Sequence, residues 1–187
     1  MRIIGGLARG IRLEAGSQEA VRPTTDRIKE TVFNIIGDVE GCTVADFFAG
    51  SGSLGLEALS RGAGQVYFIE KDPRTCGIIR SNLQKVEKSM GQDSVSEVFN
   101  CSYEQAVYKT GHKPDLILAD PPYADNCLLA AKFLQNQKLA DWAGEDCILV
   151  LEHTADFVIP GDIHWEQFRR KDFGQTAFTF WELKKDV

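Results

Sequence analysis

Apolar positions along the chain change between two spacings. Short apolar runs at Thr43–Phe48, Gln65–Glu70, Ser94–Phe99, Asp115–Ala119 and Cys147–Leu151 read as buried strands. Between them the apolar residues return at helical spacing. Ile28, Val32, Ile35 and Ile36 share one face of a helix that ends at Gly37, with Thr25 or Asp26 available as its cap. Leu54–Leu59 predicts a second helix, stopped by Gly62. Asp72-Pro73 opens a third, with a capping residue, proline at the first helical position and an apolar face of Cys76, Ile79, Leu83 and Val86. Leu128–Leu139 predicts one more helix. His164–Arg169 and Thr176–Leu183, split by Gly174, are close enough to pair as an antiparallel hairpin. Residues 2–13 read as two short strands around Gly5-Gly6 and Gly10, a small hairpin or an extended arm. Strands alternating with helices predict an α/β fold with a doubly wound, mostly parallel sheet closed by a C-terminal antiparallel hairpin. The expected organisation is a small hairpin-plus-helix extension over residues 1–38 and an α/β domain over 39–187.

Composition narrows the setting. A chain of 187 residues with 43% hydrophobic content can bury one substantial core. It holds no apolar run long enough to span a membrane, and Met1–Gly6 lacks the apolar region of a secretory signal. The five cysteines (42, 76, 101, 127 and 147) are scattered, without a CxxC pair, and the three histidines are isolated. Reduced thiols, no metal site, a cytoplasmic location and a monomer are the expectations. The net charge of −6 argues against nucleic-acid binding by bulk electrostatics. Basic residues are nevertheless clustered, with Arg2, Arg9 and Arg12 free of acids in the first 13 residues and Arg22, Arg27 and Lys29 close behind. Arg169-Arg170-Lys171 form another cluster. On charge alone, a solvated surface is the favoured reading of these clusters.

The chemistry starts at Asp46-Phe47-Phe48-Ala49-Gly50-Ser51-Gly52-Ser53-Leu54-Gly55, a strand, a glycine turn and a helix start. This arrangement holds a nucleotide-like cofactor at the carboxyl end of a strand. Gly50, Gly52 and Gly55 satisfy the dinucleotide fingerprint, and Glu70 lies about 20 residues on, where an acid for ribose hydroxyls belongs. Three features favour S-adenosylmethionine over NAD. Asp46 inside the strand is a buried carboxylate that needs a partner, and a cofactor with a cationic amino-acid end, reached directly or through water and backbone, would supply one. Asp120-Pro121-Pro122-Tyr123 ends the fourth strand, and the sheet closes with a hairpin rather than a second mononucleotide half. The two prolines stiffen that loop and remove two N–H donors. An exocyclic base amine is a weak nucleophile; the Asp120 carboxylate and the Pro121 carbonyl can accept its two protons and orient its lone pair. Tyr123 offers a stacking face for a planar base. Phe48, Ala49, Gly50, Ser51 and Gly52 form the expected cofactor loop. Lys71 or nearby backbone is expected beside the adenine. Cys101 and Ser102 end the third strand, where an acceptor for the adenine amine is expected; neither is an acid, so a backbone contact is expected.

With these residues in place, Asp46-x-Phe48-Ala49-Gly50-Ser51-Gly52-x-x-Gly55-x-Glu57-Ala58, Glu70 and Asp120-Pro121-Pro122-Tyr123 resemble motifs I, II and IV of amino-methylating, S-adenosylmethionine-dependent enzymes. That set includes adenine-N6, cytosine-N4, guanine-N2 and glutamine-N5 methyltransferases. Arg2-Ile3-Ile4-Gly5-Gly6, Arg9-Gly10, Leu13 and Arg22-Pro23-Thr24-Thr25-Asp26-Arg27-x-x-Glu30-x-x-Phe33-Asn34, with Gly174-Gln175 before the last strand, resemble the RsmD family. That family methylates guanine N2 in small-subunit (16S) ribosomal RNA. The resemblance implies a Rossmann-like seven-stranded sheet and an N-terminal extension that contacts RNA through Arg9, Arg12, Arg22, Thr24, Thr25 and Arg27. It also implies a substrate presented by a partly or fully assembled small ribosomal subunit, from which one base is splayed out. The alternatives with the same tetrapeptide are a DNA adenine-N6 methyltransferase, which normally needs a separate reading domain, and a protein glutamine-N5 methyltransferase, which usually carries Asn at position 120. A nicotinamide oxidoreductase is the alternative from outside the class.

Overall fold

A computed structural model describes residues 1–15, 26–106, 109, 111–122, 126–161 and 163–184. The elements run α1 (Asp26–Ile36), β1 (Thr43–Phe47), α2 (Ser53–Ser60), β2 (Gln65–Glu70), α3 (Pro73–Met90), β3 (Val95–Asn100), α4 (Tyr103–Ala106), β4 (Leu116–Ala119), α5 (Asn126–Leu134), α6 (Gln137–Trp142), β5 (Ile148–Thr154), β6 (Trp165–Phe173) and β7 (Thr176–Leu183).

One seven-stranded sheet has the order β3-β2-β1-β4-β5-β7-β6. The first five strands in that order are parallel, and β7 runs antiparallel to both β5 and β6. This is the mostly parallel, hairpin-closed sheet that the pattern predicts. The strands read as apolar runs because both faces are covered. Val44, Val66, Phe68, Leu116, Leu118 and Val150 join one core, with residues of α1, α2 and α3. Ala45, Phe47, Tyr67, Ile69, Ile117 and Leu149 join the other, with Phe133, Leu134 and Leu139 from α5 and α6. The chain order reverses between β1 and β4, which opens a crevice beyond the carboxyl ends of those two strands.

Several expectations hold locally. The Asp72 side chain caps α3 by accepting from the Thr75 N–H at 3.0 Å, with Pro73 behind it. Others need correction. The predicted single helix over 128–139 is two, because the Asn136 side chain accepts from the Lys138 and Leu139 amides at 3.1 and 3.3 Å and starts α6. Strands β5 and β6 run past their predicted ends, β6 through an irregularity between Gln167 and Arg169. The short helix α4 has no counterpart in the predicted elements.

The two strands expected in residues 2–13 reduce to a single bridge, Arg2 to Arg12. The reason lies in where the amides go. Ile4 and Gly5 donate to the two oxygens of Glu57 at 2.9 and 2.8 Å. Leu7 donates to the Ser60 carbonyl at 2.7 Å, and Ala8 to the Ser60 hydroxyl at 2.9 Å. The arm still pairs across itself, with Ile3 donating to Ile11, Gly10 to Ile3 and Leu13 to Met1, while the amides of Ile4, Gly5, Leu7 and Ala8 are satisfied against α2. Ile3, Ala8 and Leu13 are buried in the same core as α2. Glu57 is fully buried and also meets Arg61 Nε at 2.9 Å and Lys29 Nζ at 3.5 Å. Lys29 in turn donates to the Arg2 carbonyl. Burial lowers the Lys29 pKa, against the opposing pull of Glu57 and Asp26.

Candidate active site

The site is built at the end of β1. Phe48 has φ 56°, the one non-glycine residue with positive φ among the described residues. That conformation costs on the order of 1–3 kcal/mol and persists only where the surroundings impose it. Here the Ala49 N–H donates to the Ile69 carbonyl at 3.1 Å, and the Phe48 ring packs against Tyr103 and Phe133 at 5.6 and 5.9 Å. Gly50 and Gly52 follow with φ 55° and 80°. The Gly50 N–H donates to Glu70 Oε2 at 3.1 Å, and Glu70 Oε1 accepts from the Asp72 N–H at 2.9 Å. Glu70 thus ties the glycine loop to the start of α3, and its remaining lone pairs can accept further donors.

Asp46 is buried, and its Oδ2 accepts from the Gly55 N–H at 2.9 Å. The burial that points to a cationic ligand from sequence is compensated in part by this amide. A Cβ on Gly55 would lie 2.5 Å from Phe68 Cε1 and 2.9 Å from Asp46 Oδ2, so only glycine lets α2 approach the sheet this closely. Gly52, in the left-handed region, starts α2 with no side-chain cap. Ser53 Oγ, at the first position of the helix, is buried and has no hydrogen-bond partner. Asp46 takes one amide of the first turn of α2, and the buried Ser53 hydroxyl is left as a donor for a ligand group.

Asp120 leaves β4 beside this loop. Its N–H lies 3.4 Å from the Phe47 carbonyl, so it is joined to β1 at the residue before Phe48. Asp120 is half-buried, Pro121 buried and Pro122 exposed. Tyr123 lies outside the described residues. On the other side of the loop, Lys71 is exposed, and its carbonyl accepts from Asn100 Nδ2 at 2.9 Å. Cys101 is buried, its amide donates to the Glu70 carbonyl at 3.1 Å, and burial raises its thiol pKa. Ser102 follows, and its carbonyl accepts from the Gln105 N–H at 3.1 Å. Burial also pushes the Tyr103 phenol up to about 12, so it stays neutral. Arg9, Arg12 and Arg27 are exposed; Arg22, Thr24 and Thr25 lie outside the described residues.

The glycine loop, Glu70, Lys71, Cys101, Ser102 and Asp120 thus share the carboxyl edge of β1, β2, β3 and β4. Sequence reasoning missed Ser53, Tyr103 and Asn82. Serine directly after a turn glycine was a readable signal for Ser53. Asn82 sits in the middle of α3 with nothing in the sequence to mark it. It is fully buried, and its amide nitrogen donates to the carbonyls of Ser51 and Glu14, both at 3.0 Å. Among the described residues no cluster of His, Cys, Asp or Glu has a metal-holding arrangement.

Strand order, strained loop and acid-bearing strand ends together define a Rossmann-like protein of the methyltransferase fold. The fold is shared with the rRNA methyltransferase aviRa from Streptomyces viridochromogenes (TM-score 0.70, 16% identity, covering 93% of this chain and 90% of that one). It is also shared with the Escherichia coli protein yhhF (TM-score 0.78, 29% identity, covering 100% of this chain and 99% of that one). The family model described as Conserved hypothetical protein 95 matches residues 1–182, and the chain belongs to that family. A relative from Haemophilus influenzae, named ribosomal RNA small subunit methyltransferase D, is 33% identical over 97% of this chain and 93% of its own length. The protein of the same name from Escherichia coli K12 is 30% identical over 97% of this chain and 89% of its own.

Proposed function

We propose that this protein is an rRNA methyltransferase that moves a methyl group from S-adenosylmethionine to the exocyclic N2 amine of a guanine in small-subunit (16S) ribosomal RNA. The observation that carries this reading is the junction of β1 and β4. There the strained Phe48–Gly52 loop and Asp120-Pro121-Pro122 leave adjacent strands at the point where strand order reverses. The names of the relatives support ribosomal RNA as the acceptor.

S-adenosylmethionine bound at the loop would supply an electrophilic methyl group and needs no metal. The chain's own residues bind and orient. Gly50 and Gly52 bring backbone close to the ligand. The N-terminus of α2 and Ser53 take a carboxylate, while Asp46 holds that helix in place through Gly55. Glu70 accepts ribose hydroxyls, and the backbone around Lys71, Cys101 and Ser102 faces the adenine. The Asp120 carboxylate and the Pro121 carbonyl would accept hydrogen bonds from the two amine N–H groups, which aims the nitrogen lone pair in line for transfer. Tyr123 stacks on the base. Residues 1–38 form the RNA-contacting segment, with Arg9, Arg12 and Arg27 exposed for phosphates and Arg22, Thr24 and Thr25 beside them in sequence.

The test is tritium transfer from labelled S-adenosylmethionine to three substrates: small subunits from a strain lacking the endogenous enzyme, free 16S rRNA and duplex DNA. N2-methylguanosine from subunits is the expected product, and Asp120→Ala should abolish it while the protein stays folded. N6-methyladenine in DNA, or full activity in the variant, would overturn the assignment.

A further inference from the structure

Asn82 uses its whole side-chain amide to join two segments distant in sequence. Nδ2 donates to the carbonyls of Glu14 and Ser51, each at 3.0 Å, and Oδ1 accepts from the Glu14 N–H at 2.8 Å. Glu14 lies one residue before the end of the described N-terminal arm, and Ser51 lies between the two loop glycines. Asn82 is fully buried, and its bond to the equally buried Ser51 has no water to replace it. Only a carboxamide can offer two N–H donors from one nitrogen together with an acceptor. A carboxylate would set an oxygen against two carbonyls, and an aliphatic side chain would leave the buried Ser51 carbonyl unpaired by Asn82 and release Glu14. The arm also returns to this loop at its other end, where Ser51 Oγ lies 3.9 Å from Met1 Sδ. Ser51 is itself completely buried, so the loop cannot move without disturbing the arm.

We propose that Asn82 is a positioning residue that couples the N-terminal arm to the glycine loop, so that cofactor binding and RNA engagement strengthen each other. The proposal rests on the reading above of the loop as the cofactor site and the arm as an RNA contact. A ligand seated on Gly50-Ser51-Gly52 fixes the Ser51 carbonyl. That fixes Asn82 and, through it, the backbone at Glu14, from which the chain runs on toward Arg22 and Arg27. By linkage the effect is reciprocal: whatever factor the cofactor adds to RNA affinity, RNA adds to cofactor affinity.

The experiment measures the dissociation constant of the full-length protein for the same small subunits, with and without saturating S-adenosylhomocysteine. Wild type should bind about fivefold or more tightly with the ligand present. Asn82→Ala should bring that ratio to about one. Ser60→Ala loosens the arm where Gly5 and Ala8 attach, away from the loop, and should weaken RNA binding while keeping the ratio. A merely structural role for Asn82 would lower both affinities and leave the ratio intact, which would overturn the proposal. If Asn82→Ala does not fold, the wild-type ratio still decides, because a value near one sinks the coupling. Methyl transfer with no coupling refutes this inference alone. No binding to subunits and no methyl transfer refutes the functional reading, and the inference falls with it.

Discussion

Replacing Glu57 with alanine removes the group on which the N-terminal arm is hung. Four donors converge on this carboxylate: the amides of Ile4 and Gly5, Arg61 Nε and Lys29 Nζ. Arg61 keeps partial access to water and a place 4.8 Å over the Phe33 ring. Lys29, with no exposed side-chain surface, keeps the Arg2 carbonyl and loses its counter-ion. Removing one partner of a buried ion pair costs about 3–5 kcal/mol. Against a domain stability of about 5–15 kcal/mol, that loss leaves a folded but marginal protein. At roughly 2–4 °C per kcal/mol for a chain of this size, the melting temperature should fall by about 6–20 °C. Urea unfolding followed by circular dichroism would measure the loss as a lowered midpoint at unchanged slope. Adding Lys29→Met should restore at least about 1 kcal/mol, since it removes the stranded charge. The pH dependence carries a further sign. Burial lowers the Lys29 pKa from 10.5, so below 10.5 the unfolded chain binds more protons than the folded one, and stability rises with pH through that window. Without Glu57 the folded pKa drops further, and the window should extend to lower pH. A loss below about 1 kcal/mol, or no recovery in the double variant, would refute this account of the buried cluster.

Gly55→Ala should lower the unfolding midpoint and weaken S-adenosylhomocysteine binding in calorimetry. Its Cβ would sit 2.5 Å from Phe68 Cε1, and overpacking of about 1–3 kcal/mol outweighs the roughly 1 kcal/mol that alanine gains in helix propensity; a stabilised variant would contradict the close helix–sheet packing. His153 is fully buried between the Thr154 carbonyl at 2.7 Å and Thr179 Oγ1 at 3.1 Å, and burial lowers its pKa from 6.5. Folding therefore favours its neutral form, and the protein should lose stability as pH falls below 6.5; His153→Gln should flatten that slope in chemical melts at pH 5 to 7. Arg9→Glu with Arg12→Glu should weaken binding to small subunits and reduce its salt dependence while leaving S-adenosylhomocysteine affinity unchanged. The opposite pattern in filter binding and calorimetry would remove the arm from the RNA contact.

Strand and helix periods, turn glycines and the Asp72-Pro73 cap are local properties, so the order of elements and the parallel sheet could be read directly from the chain. The positions of Gly50, Gly52, Glu70 and Asp120 were legible for the same reason: each stands at or after the end of a strand, and in this kind of sheet strand ends converge on one crevice. What depends on distant neighbours was not legible. Residues 2–13 keep cross-arm bonds from Ile3, Gly10 and Leu13, but the amides of Ile4, Gly5, Leu7 and Ala8 turn to Glu57 and Ser60 on α2, which no local alternation announces. The buried Asp46 was legible as a carboxylate in need of a partner, but not that the Gly55 N–H, nine residues on, would take one of its oxygens. Asn82 looks like any polar residue on a long helix until packing places it between Glu14 and Ser51. Sequence by itself determined the order of strands and most of the helices, and which residues stand at the strand ends, since these follow from short-range pattern. Only the tertiary structure decided which polar groups meet, because a buried hydrogen bond depends on the position of a partner that no local spacing specifies.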